Sequence, residues 1–150
     1  MALSVARSII FDGSIDETNI TKATEAIAVN EQEKYTSGKW VRKQVTLAAA
    51  VDMDLNTYFA DAFGNTVNFA TLKELWVWNT DAAKTVVVSG NILTLFQGAA
   101  TETPTIQPDG WYAQVYPTGW TVVAATSDVM TLTPSAAGAV VKIFIVGAEA

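Results

Sequence analysis

The chain has 150 residues, half of them apolar and 16% charged, with a formal net charge of −6. It has no cysteine and no histidine, which excludes disulfides, zinc-thiolate sites, cysteine nucleophiles, histidine general bases and Ser-His-Asp triads. Its nine Lys and Arg residues are scattered from Arg7 to Lys142, with only Lys39, Arg42 and Lys43 gathered; such a chain lacks the basic stripe that tracks a phosphate backbone, and no nucleic-acid partner is expected.

The length fits one main domain. Half apolar is more than the core of a small monomer needs, so some surface is expected to be covered by partners. The opening MALSVARSIIF lacks a long apolar run behind a basic region and does not read as a signal peptide. No stretch approaches the roughly 18 apolar residues of a membrane helix. Synthesis in the cytoplasm and no membrane partner are therefore expected.

Residues 1–38 stand apart. SIIFDGSI (8–15) can form a strand, but DETNITKATEAIAVNEQEKYTSG (16–38) is polar and acidic, with little periodicity. This region reads as an N-terminal arm or an extra hairpin, of the kind that needs a partner surface to become ordered. Residues 39–150 read as a β-sandwich domain. KWVRKQVTL (39–47) alternates and predicts a strand. DLNTYFADAFG (54–64) instead places Leu55, Tyr58, Phe59, Ala62 and Phe63 at helical spacing, with Asp54 as N-cap and Gly64 as stop. One short helix is predicted over about 54–63, packed on the sandwich edge. Further strands follow in LKELWVW (72–78), TVVVSG (85–90) and TPTI (103–106), the last stopped by Pro108-Asp109-Gly110. WYAQVY (111–116) comes next, with Pro117-Thr118-Gly119 as the next turn, then WTVVAAT (120–126), VMTLTP (129–134) and AVVKIFIVG (139–147). Short strands at roughly ten-residue spacing between Gly, Pro and Asp indicate an all-β sandwich or barrel.

Little in this sequence points to catalysis, and no cofactor is expected. Paired carboxylates suffice for glycoside hydrolysis. Asp52 with Asp54, Glu31 with Glu33, and the group Asp12, Asp16 and Glu17 are close in sequence, but none lies in an apolar run that would raise a pKa. DMDLN (52–56) resembles the start of a calcium loop but lacks Gly at the sixth position and Glu at the twelfth. Helix capping by Asp54 explains it with less. There is no Gly-rich phosphate loop.

The aromatic residues carry the functional reading. Trp76 and Trp78 lie two apart, so a strand puts both indoles on one face, while Leu75 and Val77 supply an apolar opposite face. The last strand repeats this, with Val141, Ile143 and Ile145 against Val140, Lys142, Phe144 and Val146. A strand apolar on both sides is buried on both sides. An apolar outer face in a two-sheet sandwich must be covered by the helix, the arm or a second subunit. Trp40, Trp76, Trp78, Trp111 and Phe144 are the candidate interface residues. Contact with another protein surface is favoured over an intramolecular core, and both over a sugar-stacking platform.

The runs DLNTYFADAFGNTVNFATLKELWVWNTDAAKTVVVSG (54–90), QPDGWYAQ (107–114), GWTVVAATSDVMTLTPS (119–135) and KIFIVG (142–147) resemble small structural proteins of tailed bacteriophages. The resemblance covers roughly residues 45–147 and rests on turns, strand ends and the Asp-Leu segment, with no catalytic residue among its motifs. It implies a jelly-roll sandwich acting as a capsid decoration or cement protein on the outside of the virion. It also implies a homo-oligomer, a trimer being favoured, with the major capsid protein as partner. A carbohydrate- or receptor-binding module of a tail fibre, and a tail or neck structural protein, are the alternatives.

Overall fold

In the computed structural model, residues 3–6, 32–35, 39–61 and 63–150 are described. The chain divides into two units, Met1–Ser37 and Gly38–Ala150. In the first, β1 (Leu3–Ala6) pairs antiparallel with β2 (Gln32–Tyr35), Leu3 opposite Tyr35 and Ala6 opposite Gln32. The strand expected at 8–15, most of the polar stretch expected to form the arm, and the carboxylates Asp12, Asp16, Glu17 and Glu31 lie outside the described residues.

Among its described residues the second unit has eight strands: β3 (Lys39–Leu47), β4 (Val51–Asp54), β5 (Phe69–Asn79), β6 (Val86–Ser89), β7 (Thr105–Ile106), β8 (Trp111–Thr121), β9 (Val129–Pro134) and β10 (Ala139–Glu149). They form two four-stranded antiparallel sheets, in the orders β3-β10-β5-β8 and β4-β9-β6-β7. The fold is an all-β sandwich. Its pairings nest: the first strand with the last, the second with the second-last, the third with the third-last, and the middle two with each other.

Apolar alternation dictates this packing. Val41, Leu75, Val77, Val141, Ile143 and Ile145 point inward from the first sheet, and Met53, Val86, Val88, Ile106, Met130 and Leu132 from the second; all belong to one buried cluster. Fully burying each such side chain is worth about 1.5–3 kcal/mol.

Strict alternation fails in the first half of β5, at two register shifts, and the failure is structural. The β5 register shifts at Lys73, with Glu74 opposite Val146 but Leu72 opposite Gly147. It shifts again near Ala70, where Thr71 pairs with Ala148 and Phe69 with Glu149. These β-bulges reset which side chains face inward. Leu72, which simple alternation groups with Trp76 and Trp78, is instead buried in the core with Phe69 and Leu75.

The helix predicted over 54–63 is not formed. Leu55 and Phe59 are buried as its apolar stripe required, but through a turn and a small hairpin. Asp54 caps a single turn: its carbonyl accepts from the amides of Thr57 and Tyr58, and its carboxylate accepts from the Asn56 amide at 2.7 Å. Asp61 then takes the amides of Phe63 and Asn65, each at 2.9 Å. A short acidic side chain bonded to nearby amides competes directly with helical hydrogen bonding. Ala60 bridges Thr66, and Phe63 stands 91% exposed at the hairpin tip. The helix that does form among the described residues is α1 (Leu93–Gln97), closed by Gly98 in the left-handed conformation. It packs Phe96 edge-on against Trp120, centroids 4.9 Å apart, and covers the core beside β8.

Pro117-Thr118-Gly119 is a bulge inside β8 rather than a turn between two strands. Val115 opposes Glu74 and Trp120 opposes Leu72, so the intervening residues arch out within one continuous strand. The arch is possible because Gly119 has φ +92° and comes so close to β5 that a Cβ there would sit 2.3 Å from Thr71 Cγ2. Proline is tolerated because β8 is an edge strand.

The turns on one end of the sandwich are tied by Asn79, which is buried and donates to the carbonyls of Lys84 at 2.7 Å and Gln107 at 3.1 Å. Beside it, the Lys84 ammonium at 2.8 Å, together with the amides of Ala83 and Lys84, holds the Asp81 carboxyl down to about 2. A carboxylate depressed in the folded state stabilises the fold above its unfolded value and loses that contribution as pH falls through the folded value. Between about pH 4 and pH 2 the Asp81 contribution disappears. Asp81→Asn should flatten the stability profile in that window, as denaturation midpoints across it will show.

Candidate functional site

The register of the first sheet sets out its outer face row by row. Trp40, Val146, Glu74 and Val115 form one row across the four strands. Arg42, Phe144, Trp76 and Ala113 form the next, and Gln44, Lys142, Trp78 and Trp111 the third. The five candidate residues Trp40, Trp76, Trp78, Trp111 and Phe144 therefore lie on this one face. They are parts of one surface because antiparallel pairing at unshifted register keeps opposite side chains on the same side.

The rings touch in two groups on this face. Trp40 and Phe144 have centroids 6.3 Å apart, Trp76 meets Trp111 edge-on at 5.8 Å, and Trp78 stacks on Trp111 at 5.5 Å with planes 16° apart. These are the offset and T-shaped geometries that aromatic quadrupoles prefer. The Lys142 ammonium lies 5.0 Å from the Trp78 ring centroid, within cation-π range. Glu74, buried, accepts the Trp76 indole N–H at 2.9 Å. The Trp78 indole N–H has no acceptor among the described residues, so contact alone orients that ring.

Burial separates the five. Trp76, Trp78 and Phe144 are half-buried, whereas Trp40 is 50% and Trp111 57% exposed. The face thus has half-buried aromatic residues in the middle of the sheet and two large exposed indoles on its edge strands β3 and β8. None of these residues belongs to the buried cluster between the sheets.

Of the carboxylate pairs weighed for chemistry, Asp52 and Asp54 are among the described side chains, and both are engaged in local structure. Asp52 accepts from Thr131 Oγ1 at 2.6 Å and Asp54 closes its own turn, so Asp52, Asp54 and Asn56 do not converge on a cation position. Among the described residues no group of three acidic, His or Cys side chains is placed to hold a metal, and no helix is long and apolar enough to cross a membrane.

The sequence reading missed Asp128. It is buried and accepts from Asn56 Nδ2 at 3.1 Å, Asn91 Nδ2 at 3.2 Å and the Ala125 amide at 2.9 Å. Asn91 in turn accepts the Val129 amide at 2.7 Å. Every donor is neutral, the two Asn amides coming from other loops and the Ala125 amide from Asp128's own, so the group is a structural knot between three connections. The partners lie 37 and 72 residues away along the chain, beyond the reach of any local motif.

No protein-family model matches the chain, and no curated protein matches it.

Proposed function

We propose that the protein is a non-enzymatic structural component of a tailed-phage virion, a jelly-roll decoration protein that stabilises the capsid as an oligomer. The observation that carries this reading is the aromatic outer face, with Trp40 and Trp111 exposed on a sheet side that is polar in a free-standing sandwich. Exposed tryptophans around half-buried aromatic residues are the composition of a contact surface. The nested pairing of eight strands supports the jelly-roll assignment, since a hairpin of four paired segments rolled into two sheets produces this order. A cement role asks of the chain only buried area at joints between capsid subunits. Removal of apolar area from water contributes roughly 25 cal/mol per Å², and about 1,600 Å² in total is an interface of standard size.

Mass spectrometry of purified phage particles tests this: the chain is expected in intact virions, and its absence would sink the proposal. A finer check is Trp111→Ala. Half of the ring is already in water, so the expected loss of domain stability is about 1 kcal/mol, while retention on particles should fall severely. Equal losses in thermal melts and in particle retention would place Trp111 in the folding core instead.

Exposed Trp111 also favours a second reading, a carbohydrate-binding module. A two-plate sugar platform needs rings lying side by side. Trp78 and Trp111 stack face to face at 16°, so each covers the other and at most one outer face is free. Tryptophan fluorescence quenching across a broad glycan array would support this reading over the first.

A further inference from the structure

The two edges of the aromatic sheet are built differently. Edge strand β3 carries Lys39, Arg42 and Lys43. Lys43 points to the inner side, where its ammonium sits 3.8 Å from the Tyr58 ring centroid and donates to the Tyr58 carbonyl at 3.2 Å. Charged residues on an edge, above all inward-pointing lysines, are how free-standing sheets prevent pairing with other chains. Edge strand β8 has no such protection by charge. Residues 110–127, GWYAQVYPTGWTVVAATS, contain no charged side chain, though Asp109 and Asp128 flank them. Trp111, Val115, Tyr116 and Val123 are all exposed along this strand and its exit. A long, apolar, uncharged edge left in water is an aggregation site.

We infer that the β8 edge is the self-association surface of this protein, covered by the same edge of a second copy. The charge distribution selects a second copy as occupant. Two copies each carrying −6 repel, and residues 110–127 are where they meet without opposing carboxylates. A surface that is uncharged and apolar is also self-complementary, as an isologous contact requires. The β3 edge fails both conditions, because antiparallel self-pairing there would set lysines and arginine against one another. The bulge and Pro117 block sheet extension past Tyr116. The contact is therefore made by the side chains of Trp111, Val115, Tyr116 and Val123. This inference rests on the oligomeric half of the reading above and not on its virion half. It leaves the Trp40 and Phe144 side of the outer face for a different protein.

Sedimentation velocity on the full chain at micromolar concentrations tests it, with near-UV circular dichroism to establish folding. The wild type should be a dimer, or an even-numbered assembly of such dimers, because a contact of one edge with the same edge of a second copy closes at two. Val115→Lys places matching charges in the contact and should weaken association by about a hundredfold, with the folded spectrum kept. Tyr116→Lys, at a neighbouring exposed position, carries the same test should Val115→Lys fail to fold. Thr46→Lys on the β3 edge should leave the oligomer intact. A monomeric wild type overturns the inference, as does an oligomer that survives both β8 variants. Glycan-dependent fluorescence quenching in a monomeric wild type, lost in Val115→Lys, would overturn it in favour of a ligand site. Because these are measurements in solution, absence of the chain from virions would refute the decoration role without touching them.

Discussion

Gly147→Ala is expected to destabilise the sandwich by about 3 kcal/mol or more, a large share of the 5–15 kcal/mol that holds a domain folded. Gly147 lies in β10, the strand between β3 and β5, at the register shift opposite Leu72. A Cβ built there would sit 2.2 Å from the Thr71 carbonyl oxygen and 2.7 Å from the Phe69 ring. Neither can yield cheaply. The carbonyl belongs to central strand β5, and Phe69 is fully buried. The change should also disturb the bulges that turn Phe69 and Leu72 inward, so its cost includes core contacts. Urea unfolding should show a lower midpoint with little change in slope. A midpoint equal to wild type would mean that β5 and β10 pass each other more loosely than this geometry.

Asp128→Ala should cost about 3 kcal/mol, because three donors lose their acceptor at once: Asn56, Asn91 and the Ala125 amide. Ala125 has φ +60°, a left-handed conformation disfavoured for a residue with a Cβ, and its bond to Asp128 helps hold it there. Asp128→Asn is expected to lose about half as much. Its single oxygen can take over the position that serves Asn56 and Ala125, but its amide then faces the amide of Asn91, whose own oxygen is committed to Val129. Thermal melts of the two variants, with hydrogen exchange at Ala125 and Val129, check the order. Identical behaviour of the two variants would show that Asp128 contributes charge rather than a bonding pattern.

Several elements were legible because their signal is local. The strands at 39–47 and 129–134 coincide with β3 and β9, since an alternating or β-branched run between turn residues has few other ways to bury its apolar side. The shared face of Trp76 and Trp78 was legible for the same reason, as both lie on the regular side of the Lys73 bulge. The segment at 54–63 misled because a turn followed by a hairpin can bury Leu55 and Phe59 at the same spacing as a helix. Asp61 bonding to Phe63 and Asn65 decided between them. β4 was hidden for a related reason: Val51–Asp54 is short and acidic, and becomes a strand by pairing with β9.

By itself the sequence determined the all-β class, the apolar strands and the clustering of tryptophans, because alternation and turn chemistry act over a few residues. It also determined the uncharged stretch from 110 to 127. Only the tertiary structure decided which of these meet. Pairing in unshifted register between β3, β10, β5 and β8 brings residues 40, 76, 78, 111 and 144 onto one surface. The Lys73 bulge sends Leu72 inward and leaves Trp76 outward, and the Asn79 and Asp128 knots join loops tens of residues apart. Those outcomes depend on which backbone groups find partners across the sheet, and a partner's position exists only once both strands are in place.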